Sequence, residues 1–169
     1  MAAEPRVIER AKDEAEAYRH GEDRPLGGYL ALMGTYAVGV TGLSLAVRRS
    51  GRPLPERLSW SDLALMAVAT HKISRTATKD SVTSALRAPF TRYKGTAGPA
   101  ELAEDVRGEG PRKAIGELVT CPFCFGHWVA TGLAFGFVLA PRVTRLGAGI
   151  FTALAGADFL HFAYARLGP

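Results

Sequence analysis

The chain has 169 residues, room for one compact domain plus tails, with 47% apolar residues, 22% charged residues and a formal net charge of +5. Those averages suit a soluble protein, yet charge crowds into residues 4–24, 48–57, 72–117 and 142–145 and leaves long uncharged stretches between. A bilayer demands such segregation and a globular core does not. The basic residues flank apolar runs and form no stripe with interleaved aromatics. This points to lipid headgroups and away from nucleic acid.

Residues 1–25 read as a charged cytoplasmic segment. Ile8, Ala11, Ala15 and Tyr18 recur every three to four residues, which predicts a short amphipathic helix ended by Gly21 to Pro25. No apolar h-region precedes Pro25, so a cleavable secretory signal is not expected. Residues 26–169 read as the membrane domain. Leu26 to Val47 is 22 residues without a charge, enough to cross a hydrocarbon core of about 30 Å at about 1.5 Å per residue. Its glycines favour close helix packing. A second span over 58–78 is weaker, because its uncharged run is only Leu63 to His71. Ser61 or Asp62 is expected to cap it, Trp60 to mark one interface, and Lys72 and Arg75 to snorkel to the other. It reads as short or tilted, with a re-entrant helix as the rival.

Residues 79–117 read as a hydrophilic cytoplasmic loop. A short interfacial helix ends before Pro89, and Thr91 to Gly110, rich in glycine, is expected to be mobile. Leu118 to Ala140 again lacks Asp, Glu, Lys and Arg and forms the third span; Leu146 to Ala165 is the fourth, interrupted by Asp158 and His161. The fold class expected is all-α: a bundle of four transmembrane helices in the cell membrane, behind a short N-terminal cytoplasmic helix. Fifteen Lys and Arg fall on the side of the termini and central loop and six on the other. The positive-inside rule then puts both termini in the cytoplasm.

The third span opens with Cys121-Pro-Phe-Cys124. Pro122 suits a first helical turn, and a thiol at a helix start meets the positive end of the dipole. Cys-x-x-Cys therefore admits thiol redox chemistry, although this chain has no further cysteines to pass electrons to a partner. A second reading is zinc. Cys121, Cys124 and His127 can share a helix face, and His71, His161 and Asp158 belong to the same half of the bundle. The plainer reading is packing, with the histidines hydrogen-bonded between helices. Asp158 needs a partner, because an unpaired carboxylate in a span is costly; His161, His71, Lys72 and Arg75 are the candidates. Arg75, Asp80 and Arg87, with Trp128, form a polar and aromatic set suited to a lipid headgroup or a protein partner.

Three ordered motifs resemble the DUF1360 family of small bacterial membrane proteins, which has sporulation-associated members. They are Lys72-Ile-Ser-Arg75-x-x-Thr78-x-Asp80, then Leu86-Arg87-Ala-Pro89-Phe90, then Gly116-Glu117-Leu118 followed by Cys121-Pro-Phe-Cys124-x-Gly126-x-Trp128. The resemblance covers about residues 60–165. The chain departs from the pattern at His127, where an aromatic is expected, and in its charged N-terminal region. The resemblance implies an integral membrane protein and transfers no catalytic residue. The function expected is non-enzymatic, a scaffold or partner-binding subunit in the bilayer with a protein partner or a second copy; zinc binding is the alternative, followed by thiol redox.

Overall fold

A computed structural model describes residues 4–168. Helix α1 (Glu4–Arg19) ends where His20 and Gly21 take left-handed backbone angles. Its apolar stripe is unburied, with Ile8 and Tyr18 exposed. Helix α2 (Leu26–Ser50) follows Pro25 and stops at Gly51, whose φ of 66° supplies the left-handed residue that closes many helices. Helix α3 (Trp60–Lys79) is capped by Ser59, whose hydroxyl accepts the Asp62 N–H at 3.1 Å, so the cap lies earlier than Ser61 or Asp62.

The segment after α3 carries regular secondary structure where its glycines suggested a loop. A 3-10 turn (Ser81–Thr83) and the short helix α4 (Ser84–Arg87) lead into strands β1 (Thr91–Gly98) and β2 (Glu101–Val106). The strands form an antiparallel hairpin with irregularities at Tyr93/Gly95 and Thr96/Gly98. The chain is therefore mostly helical with one small sheet, and not purely all-α. Helix α5 (Gly110–Thr120) then packs under the hairpin. The third apolar run is broken at Cys121, which is extended, so α6 begins at Pro122 and ends at Leu139. Helix α7 (Pro141–Leu167) completes the chain.

Among the described residues three helices are long and apolar enough to cross a membrane: α2, α6 and α7. Their large side chains face outward, including Leu30, Met33 and Val38 on α2 and Ile150, Phe159 and Leu160 on α7. Exposed apolar surface on that scale suits lipid and not water. The chain thus has the spans of a membrane protein.

Side-chain contacts fix the directions of the helices. Tyr29 of α2 bonds Glu117 of α5 just before α6, Tyr36 bonds Thr131 of α6, and Arg52 just beyond α2 bonds the Val138 carbonyl near the end of α6, so α2 and α6 run parallel. From α3, Asp62 pairs with Arg145, Thr152 reaches the Leu65 carbonyl and Lys72 pairs with Asp158, so α3 and α7 also run parallel. Helix α3 makes the return journey between α2 and α6. It is also the centre of packing: Ala69 on α3 is fully buried against Phe137 of α6 and Ala148 of α7, with Leu65, Met66, Ile73, Leu133 and Phe151 around them.

Candidate functional site

The end of the bundle that holds the hairpin also holds the C-terminus of α3 and the starts of α2 and α6. Arg87 organises it. This arginine is buried, and its side chain is 2% exposed beside a Glu104 side chain at 6%. Its Nε donates to Glu104, Nη1 to the Ala77 carbonyl at 3.0 Å and the Thr83 hydroxyl at 2.6 Å, and Nη2 to the Asp80 carbonyl at 3.1 Å. Thr91 donates to the second Glu104 oxygen at 3.0 Å. A desolvated guanidinium is tolerated because its fork of donors meets a carboxylate and carbonyls together. Arg87 is thus spent inside the chain, tying the end of α3 and the turn after it to β2, and it offers no surface to lipid or to a partner.

Neighbouring contacts extend the same clamp. Arg75 pairs with Glu101 at the start of β2, and Asp80 bridges to Glu101 through the backbone. The Pro89 carbonyl accepts from Arg107 at 3.1 Å and from Arg112 at 3.0 and 2.6 Å. Gly116 lies where a Cβ would stand 2.5 Å from Val106 and 2.9 Å from the Phe90 carbonyl, so α5 meets the hairpin without a side chain between. Glu117 accepts from Tyr29. The three sequence motifs therefore converge on one assembly.

The cysteines stand at its edge. Both are free; the Cys121 sulfur caps α6 by accepting the Cys124 N–H at 3.2 Å. His127 places Nδ1 3.1 Å from the Phe123 carbonyl one turn earlier. A groove of about 420 Å³ between α3 and α6 is lined by Thr70, His71, Ser74, Arg75, Phe123 and His127, among others. Of the set Arg75, Asp80 and Arg87, it is Arg75 that reaches the cysteine-bearing helix start; Asp80 and Arg87 turn to the hairpin.

The proposed zinc ligands do not assemble. Among the described residues no group of three or more His, Cys, Asp or Glu side chains could hold a metal ion. Asp158 instead meets the Lys72 ammonium at 2.8 Å, one of the partners expected for it. His161 is exposed. Trp128 packs edge-on against Tyr36, centroids 5.2 Å apart, and so faces α2.

Sequence reasoning missed Glu104, Thr91, Glu101 and Arg112. A Gly-Pro step at 98–99 between two strand-compatible runs was the signal for the hairpin. Gly-Pro at 110–111, ahead of Ala114, Ile115 and Leu118, was the signal for α5.

Comparison with known proteins matches the same region. The UPF0713 protein YngL of Bacillus subtilis (strain 168) is 24% identical over 103 residues, covering 61% of this chain and 77% of that protein. No solved structure matches. The family model described as "Protein of unknown function (DUF1360)" matches residues 65–164, which carry most of α3, the clamp, the hairpin, α6 and most of α7, and the chain belongs to that family.

Proposed function

We propose that this is a four-span membrane protein that acts by binding, with the clamped hairpin as a rigid docking platform for a protein partner at the cytoplasmic face. The parallel course of α2 and α6 supports the fourth span, because the chain must cross back between them and α3 is the segment that does so. Twenty residues give α3 a length of about 30 Å, the thickness of a hydrocarbon core. Its low apolarity is offset by pairing: Asp62 meets Arg145, Lys72 meets Asp158 and Arg75 meets Glu101. The excess of Lys and Arg at the hairpin end supports a cytoplasmic location.

The buried Arg87–Glu104 pair carries the platform reading. It fixes a water-side hairpin to the end of a packed helix, which positions a surface and sets up no nucleophile, base or metal. Lys94 and Tyr93 are exposed on that surface. A photo-crosslinker at Lys94 in cells should yield one discrete protein adduct that Arg87→Ala abolishes, while a crosslinker at Phe159 on α7 yields none. Absence of any discrete adduct from the hairpin would overturn the proposal.

A further inference from the structure

We infer that the groove between α3 and α6 binds an anionic phospholipid, with the headgroup phosphate among Thr70, His71, Arg75 and His127. Two features point to a ligand. Thr70 lines the groove, and its Oγ1, itself enclosed, finds no hydrogen-bond partner among the described residues, so a turn about χ1 would offer it to a ligand. A buried hydroxyl is normally satisfied. The polar residues of the wall also share one electrostatic character. His71 and His127 are exposed imidazoles, and Arg75 commits Nε and Nη2 to Glu101, while its Nη1 has no bond among the described residues. No carboxylate lines the groove. Glu101 stands behind Arg75 and orients it, so a phosphate would meet the remaining edge of the guanidinium together with imidazole N–H donors. Phosphate takes such charge-assisted bonds strongly.

A lipid fits this site better than a free anion because of its position and its other wall. The groove runs from the middle of α3 to Arg75 and along the first turns of α6, so Arg75 and Phe123 stand where that clear span begins. Phe123 at its edge is 85% exposed. Ala67, Gly126 and Ala130 continue the wall along the helices with small apolar groups, which leaves a track for an acyl chain. A Cβ on Gly126 would sit 3.8 Å from Thr70 and 4.0 Å from Ser74, so the glycine keeps that track open.

The inference rests on the membrane placement of α3 proposed above, and its test separates the two. The full-length chain is placed in discs of phosphatidylcholine, alone or with a minority of phosphatidylglycerol, and its helical melting is followed. Folded insertion into phosphatidylcholine reports on the membrane reading; the dependence on phosphatidylglycerol reports on the groove. Phosphatidylglycerol should raise the wild-type midpoint by several degrees. The gain, measured against each variant's own midpoint in phosphatidylcholine, should vanish in the His71→Leu/His127→Leu variant. Thr70→Val should reduce the same gain. An equal midpoint in both lipids, or an undiminished gain in the double variant, would overturn the proposal. So would an equal gain from inorganic phosphate in phosphatidylcholine, since the site would then take the ion without the lipid.

Discussion

Lys72 on α3 and Asp158 on α7 meet at 2.8 Å, joining the least apolar helix of the bundle to a clear membrane span. The Lys72 side chain is 16% exposed, and that carboxylate is the counter-ion a largely buried ammonium needs. Asp158→Ala should destabilise the protein by about 2 kcal/mol, near the low end for an uncompensated charge in a span because lysine can snorkel. Lys72→Met combined with Asp158→Leu should recover most of that loss, since it removes both charges. Denaturant titration in detergent micelles checks the pair. A double variant as unstable as Asp158→Ala would show that the ion pair is not what the position requires.

The second pair, Arg87 with Glu104, lies at the hairpin end of the bundle. Glu104→Ala leaves the Arg87 guanidinium buried without its carboxylate, a change that costs about 3–5 kcal/mol. The loss should appear as release of the hairpin, with trypsin cutting at Arg92 or Lys94 far faster than in the native protein. Arg87→Lys should behave almost as badly, because an ammonium cannot reach Glu104, Thr83 and the Ala77 and Asp80 carbonyls together. Unchanged proteolysis in both variants would remove the clamp from the account.

Glycines separate packing from lipid exposure. A methyl group at Gly116 would stand 2.5 Å from Val106 and 2.9 Å from the Phe90 carbonyl, and one at Gly28 would stand 2.7 Å from Ala114. Either Gly→Ala change should cost about 1–3 kcal/mol through overpacking. Gly42→Ala meets nothing within 4 Å and should be neutral or stabilising, since alanine is the better helix former. Thermal melts of the three variants side by side make the comparison.

The Cys121 sulfur caps the start of α6. Cys121→Ser keeps an acceptor for the Cys124 N–H and should leave stability unchanged, whereas Cys121→Ala should lose about 1 kcal/mol. Equal melting of the two variants would show that the sulfur contact contributes nothing.

The apolar runs were legible because a bilayer imposes one rule over twenty residues. The spans expected at 26–47, 118–140 and 146–165 appear as α2, α6 and α7 with shifted ends. The third shifted most: Leu118 to Thr120 belong to α5, since hydropathy does not register a bend at Cys121. The hairpin was harder to read for a different reason. Its one sign is the Gly98-Pro99 step, Gly95 and Gly98 read as loop, and irregular pairing leaves only weak alternation. Arg87 looked like an exposed anchor because sequence gives its charge and not the Glu104 that follows 17 residues later. The partner of Asp158 was among those named, but His161 was not brought in.

Sidedness tests the central claim most directly. In a Cys121→Ser/Cys124→Ser background, single Leu54→Cys and Tyr93→Cys variants place exposed thiols before α3 and after it, at positions 69% and 68% exposed. A membrane-impermeant maleimide is applied to intact and to permeabilised cells. If α3 crosses the bilayer and the hairpin platform is cytoplasmic, Leu54→Cys labels in intact cells and Tyr93→Cys labels only after permeabilisation. Labelling of both thiols from the same side would contradict the account, because α3 would then not cross the membrane.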